Sequence, residues 1–227
     1  MIEMMVVIAI VAILTATVVG NYGSFRSATV ATNMAYEAAS TLRQAQLYGL
    51  GVRLADASGA QTDTYGVEFT ADSSDYSIFR ERDEGDSNGR CDNDGDCDRR
   101  CEGGGAGCNC RAAGNECVEQ VKMLQQVKIE ALCASYDASD TTAELLAGAQ
   151  CNHSWLSVSF TRPNPEASMA ASDVPDSNWD RIVLAGIVLR GGGHCRLVRM
   201  YSNGQISVEG LTGKVAGTPF ARICDGV

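Results

Sequence analysis

MIEMMVVIAIVAILTATVVG (residues 1–20) runs without a proline into NYGSFRSATVATNMAYEAASTLRQAQLYGLG (residues 21–51). The first nineteen positions are almost wholly apolar, and the first basic residue is Arg26. A secretory signal carries a basic leading region and a small-residue cleavage site; this start shows neither, and reads as a chain already processed. Residues 4–20 rise about 25 Å as a helix, short of the roughly 30 Å hydrocarbon core of a bilayer. Adding Met1 and Ile2 makes the length adequate and places Glu3 inside the apolar segment. Beyond Gly20, residues Phe25, Ala28, Ala31, Ala35, Ala38, Leu42, Ala45 and Leu50 recur mostly at three- and four-residue steps, with Arg26, Thr29, Asn33, Glu37, Ser40, Arg43 and Gln44 between them. That is the 3.6-residue period of an amphipathic helix. Gly49 and Gly51 mark its expected end.

A helix of nearly fifty residues, apolar in its first half and amphipathic in its second, has no use in a compact globular domain. The first half belongs in a membrane or a bundle of like helices. The second should pack on a domain through its Ala-rich stripe. Gly20 and Gly23 stand at the junction, where each weakens a helix by about 1 kcal/mol relative to Ala. Glu3 is then the most informative side chain. A carboxylate in a lipid-spanning segment reads as functional, and leaving it unpaired costs about 2.5–3.5 kcal/mol on insertion scales. The segment holds no Lys or Arg, so the available cation is the amino group at the chain's own start or at a neighbour's. A frayed helix end with Glu3 among headgroups is the plain alternative.

Residues 2–14, IEMMVVIAIVAIL, resemble the start of mature type IV pilins and of the pseudopilins of type II secretion. Chains of that family carry a glutamate near the start of an apolar helix, then an amphipathic helix, then an antiparallel sheet. The resemblance implies a thin helical filament, a homopolymer with its apolar helices bundled at the core. It further implies an inner-membrane assembly machinery that draws subunits from a cytoplasmic-membrane pool and delivers them to an extracellular pilus. Glu3 takes the assembly role by this resemblance. Two departures stand: the family places its glutamate fifth, after a Phe, and many members have a Pro where this chain has Gly20.

Later signals are those of strands. Residues 65–69 and 76–80 are short runs rich in aromatic and β-branched types, and 155–161 alternates and ends at Arg162-Pro163-Asn164-Pro165, where proline stops ladder pairing. Residues 182–189 and 195–201 read as strands, the second followed by Asn203-Gly204 and 205–208, a hairpin signal. Residues 118–132 fit a strand or a helix turn. Strands at this spacing without intervening helices predict an antiparallel meander. The expected fold is α+β: a long N-terminal helix packed on an antiparallel β-sheet, pilin-like, with a disulfide-rich loop insertion at about 81–117. Residues 1–23 form the filament-core or transmembrane part, 24–51 the amphipathic half of the same helix, and 52–227 the head.

The net charge is −10, which disfavours binding to nucleic acid phosphates; no nucleic acid partner is expected. Much of the charge is local. Asp83, Glu84, Asp86, Asp92, Asp94, Asp96 and Asp98 face one base, Arg90, within residues 83–98. Six of the ten cysteines (Cys91, Cys97, Cys101, Cys108, Cys110, Cys117) crowd into the same Gly-rich region. A segment that cannot build a core is ordinarily held by disulfides, which persist in oxidising compartments. Zinc is the weaker reading, since no His and no paired C-x-x-C lies nearby. Cys133 is expected to pair with Cys151 by locality. Cys195 with Cys224 also follows from the resemblance, since pilins commonly carry a bridge near the C-terminal tail. The remaining six would form three bridges among themselves.

Asp86, Asn88, Asp92, Asp94, Asp96 and Asp98 offer the closely spaced oxygens that Ca²⁺ requires. The EF-hand template is not met, and a solvated, disulfide-clamped loop is the preferred reading; no other cofactor is expected. No catalytic constellation emerges, so the chain is read as a non-enzyme. His153 and His194 lie in different segments, and Ser154 beside His153 is no evidence of a nucleophile. Gly191-Gly192-Gly193 lacks the Lys-Ser/Thr of a phosphate loop and reads as a turn between strands. Asn152-His153-Ser154 fits a glycosylation sequon. A structural pilin is the leading reading, against a minor pilin or pseudopilin, or a membrane-tethered calcium-binding or adhesive module.

Overall fold

The computed structural model describes residues 2–51, 64–81, 117–124, 126–146, 150–161, 166–174, 178, 181–211 and 224. In chain order its elements are α1 (Ile2–Leu50), β1 (Thr64–Thr70), β2 (Asp75–Glu81), β3 (Cys117–Lys122), β4 (Val127–Ser135), α2 (Thr142–Leu145), β5 (Trp155–Thr161), β6 (Ala167–Ala171), β7 (Leu184–Gly191), β8 (His194–Tyr201) and β9 (Ile206–Gly210). The Cys- and Asp-rich insertion lies outside the described residues.

α1 is one uninterrupted helix of 49 residues, roughly 73 Å long at 1.5 Å per residue. Neither Gly20 nor Gly23 breaks it. The expected stripe is correct in its middle: Ala31, Ala35, Ala38, Leu42 and Ala45 are fully buried, joined by Met34 and Ala39. Its ends are corrected. Phe25 is 71% and Leu50 40% exposed, because at about 100° per residue both fall beside the buried stripe and not on it.

The single meander expected from strand spacing is replaced by two antiparallel sheets, in the orders β3-β2-β1-β5-β6 and β4-β7-β8-β9. β1 pairs with β5 along its whole length, from Thr64 opposite Thr161 to Thr70 opposite Trp155, so the chain between them supplies a strand to the other sheet. The ambiguous residues 118–132 divide into parts of β3 and β4. A bulge explains the ambiguity: β4 shifts register between Ile129 and Ala131. Val127 and Ile129 join the main core on one side of the shift, and Leu132 and Ala134 on the other. A bulge puts one extra residue into one strand, so strict alternation fails there. The two sheets meet where Ile129 receives a hydrogen bond from the Asp72 amide (2.8 Å) and donates one to the Ser73 carbonyl (2.9 Å).

The main core lies between α1 and both sheets and contains Leu42, Phe69, Leu156, Phe160, Ile187 and Met200, all fully enclosed. The opposite face of the second sheet is buried too, under Leu145 and Leu146 of the α2 region, Leu211 and Cys224. Burial on both faces accounts for the near-continuous apolar run of β7. Both bridges outside the Cys-rich segment are formed, Cys133–Cys151 and Cys195–Cys224. Their cysteines belong to this second cluster, where the bridges tie the α2 loop and the C-terminal tail to β4 and β8. The Asn203-Gly204 hairpin is present, with Gly204 at φ 85° and the Gln205 amide on the Asn203 side-chain oxygen at 2.9 Å.

Gly49 does more than mark an end. A Cβ there would stand 2.5 Å from the Phe160 carbonyl oxygen and 2.8 Å from its Cβ, so the last turn of α1 lies directly on β5. Gly23 has nothing within 4 Å of the same position. Gly49→Ala is therefore expected to destabilise the head by about 1–3 kcal/mol through overpacking, despite the better helix propensity of Ala. Gly23→Ala should strengthen α1 by about 1 kcal/mol. Thermal unfolding of the two variants side by side checks both signs.

Candidate assembly surface

Among the described residues the apolar half of α1 has no partner within the chain. Ile2–Val19 has a mean hydropathy of 2.6, and none of it is buried. Twelve large apolar side chains in this span are more than half exposed. At roughly 1.5–3 kcal/mol for burying each completely, the segment has on the order of 20 kcal/mol to gain by leaving water. By length and composition it is able to cross a membrane.

Its polar side chains are few. Thr15 and Thr17 donate back to the Val11 and Leu14 carbonyls at 2.7 and 2.8 Å, so their hydroxyls need nothing from outside the helix. Glu3 differs. It sits exposed in the first turn of α1, and among the described residues no cation or donor pairs with it. The helix dipole alone favours an acid there by about 0.3–1 kcal/mol. That suffices in water. It falls well short of the roughly 2.5–3.5 kcal/mol that hydrocarbon exacts from an unpaired charge.

The head is fastened to the second half of α1 by more than apolar packing. Arg196 on β8 donates to the Thr32 hydroxyl at 2.9 Å, and Thr41 shares a 3.2 Å hydrogen bond with the buried Tyr76 hydroxyl. Desolvation pushes the Tyr76 phenol up to about 12, so it is neutral throughout the ordinary pH range. The Gly191-Gly192-Gly193 run forms the β7–β8 turn, with Gly192 at φ 62°. A Cβ at Gly191 would reach 3.1 Å from Ala31, and one at Gly192 2.9 Å from Ser27. The run thus lets this turn touch α1, a role its sequence leaves unstated because α1 lies about 160 residues away.

Among the described residues the remaining sequence candidates do not converge. His153 bonds the Ser172 carbonyl through Nδ1, and Ser172 Oγ accepts from the Ser154 amide at 2.6 Å; these contacts fasten β5 to the turn after β6. His194 opens β8, in a different sheet. The possible calcium ligands Asp86, Asn88, Asp92, Asp94, Asp96 and Asp98, with Cys91, Cys97, Cys101, Cys108 and Cys110, lie outside the described residues; Cys117 begins β3, and its side chain lies outside them too. Among the described residues no group of three metal-binding side chains converges. Sequence reasoning missed Arg199, buried on β8. Its guanidinium donates to the Asp140 carbonyl (2.6 Å) and to Glu209 (3.5 Å), and lies over the Tyr201 ring. An arginine in a strand gives no local sign of such a site.

Compared with known proteins, the chain matches no family model, no curated protein and no solved structure.

Proposed function

We propose that this chain is the structural subunit of a type IV pilus-like filament, assembled through the apolar half of α1. One observation carries the reading: a single continuous helix packs its second half into the head and leaves 18 consecutive residues, Ile2–Val19, wholly unburied. A helix rigidly joined to its domain and bare for a third of its length suits a bundle in which copies cover one another. In this reading the subunit waits in the cytoplasmic membrane, is extracted by a dedicated assembly machinery, and ends in an extracellular homopolymer. The bridges Cys133–Cys151 and Cys195–Cys224 fit a head on the oxidising side of that membrane. Glu3 is the assembly residue, paired with the N-terminal amine of a neighbour.

A minor pilin or pseudopilin uses the same helix in the same way, and differs in how many copies a filament holds. A single-copy membrane tether would keep Ile2–Val19 in lipid. Purified full-length chain, transferred from detergent into detergent-free buffer, is expected to sediment as regular polymers. The chain from residue 24 onward is expected to stay monomeric with its head folded. Dispersed full-length monomers, or amorphous precipitate without regular filaments, would count against the proposal.

A further inference from the structure

Beyond Glu3, α1 carries three charged residues, Arg26, Glu37 and Arg43. All three are exposed, and among the described residues none forms an ion pair within the chain. At about 100° per residue, the exposed surface of α1 has two flanks roughly 120° apart. One carries Phe25, Tyr36 and Arg43; the other carries Val19, Glu37 and the half-buried Val30, which also packs against the main core. Arg43 and Glu37 are therefore on different flanks and cannot meet on one helix.

Each residue on the first flank stands six positions beyond one on the second: Phe25 beyond Val19, Tyr36 beyond Val30, and Arg43 beyond Glu37. The same step continues into the apolar half with Leu14 and Ile8. Six residues are an axial displacement of about 9 Å. Two parallel copies offset by that amount bring Phe25 against the exposed Val19, Tyr36 against the outer part of the half-buried Val30, and the Arg43 cation against the Glu37 anion. Phe25 (71%), Tyr36 (60%) and Val19 (68%) are exposed well beyond what a helix packed on a head requires.

We infer that the occupant of this face is a second copy of the chain, parallel and advanced by six residues, with Arg43 of one copy paired to Glu37 of the next. This rests on the proposed filament reading and adds its register. Because the two flanks differ and lie roughly 120° apart, each copy uses one flank below and the other above. The contact is heterologous and propagates instead of closing. An eleven-residue offset would set Arg26 against Glu37, but both lie on the same flank, and that contact stops at two copies.

Charge reversal tests the register. Arg43→Glu and Glu37→Arg are each expected to lower filament yield about tenfold, and the double reversal to restore it, as for a desolvated charge pair at an interface. Arg26→Glu should leave the yield near wild type. All three positions are exposed, so the head keeps its packing in each variant, and unchanged thermal unfolding checks this. Wild-type yield from both single variants, or no recovery in the double, would overturn the six-residue register while leaving the filament reading in place. Recovery by reversing Arg26 with Glu37 would overturn it in favour of the eleven-residue contact. Failure of the wild-type chain to polymerise would overturn both.

Discussion

Glu3→Ala is expected to leave the head folded and the chain membrane-inserted, yet to exclude it from filaments built alongside wild-type subunits. The physical reason is a difference between two environments. In lipid, an unpaired Glu3 costs about 2.5–3.5 kcal/mol. Between helices of a filament, the N-terminal amine of a neighbour relieves that cost and turns it into a drive toward assembly. Removing the carboxylate removes the drive, which amounts to about a hundredfold in each addition equilibrium. Glu3→Gln should behave alike, since the missing element is charge and not size. The measurement is the fraction of tagged variant found in filaments when both chains are expressed together. Equal incorporation of wild type and Glu3→Ala would sink the role assigned to Glu3, and would leave the carboxylate as a helix N-terminal acid worth under about 1 kcal/mol.

Leu42→Ala should have the largest effect on the fold. Leu42 is fully buried where α1 meets both sheets, so truncation leaves a cavity bounded by two rigid sheets that cannot readily collapse. Such changes cost about 2–5 kcal/mol, a large part of the 5–15 kcal/mol that holds an ordinary domain together. Leu47, five residues on and 69% exposed, should tolerate the same substitution within about 0.5 kcal/mol. Denaturant unfolding of the two variants compares the two faces of one helix. Equal losses would mean that α1 does not pack as described.

The helix and most strands were legible because their signals are local. The Ala31-Ala35-Ala38-Leu42-Ala45 stripe repeats at the helical period, and the alternation of residues 155–161 coincides with β5 residue for residue. The hairpin at Asn203-Gly204 announces itself by its turn. What was illegible depends on distant partners. Nothing near Thr64 says that it will pair with Thr161 and leave β4 to another sheet. β6, reading ASMAA, lacks the β-branched and aromatic residues that mark strands, and becomes a strand because β5 offers it an edge. The four-residue α2 is too short for a periodic signal, and rests on a capping box between Thr141 and Glu144. For the candidate site, the bare apolar helix and Glu3 were visible from composition alone. The two flanks and their six-residue offset were hidden until burial separated the face covered by the head from the face left open.

The central claim is that copies of this chain cover one another's apolar helices. Electron cryo-microscopy of the purified, assembled full-length chain tests it most directly. The account predicts a helical polymer with α1 segments bundled along its axis, heads outermost, and the Arg43 side chain of each copy beside Glu37 of a neighbour. Particles in which residues 2–19 of each chain lie alone in a detergent or lipid belt, with no contact between copies, would contradict it.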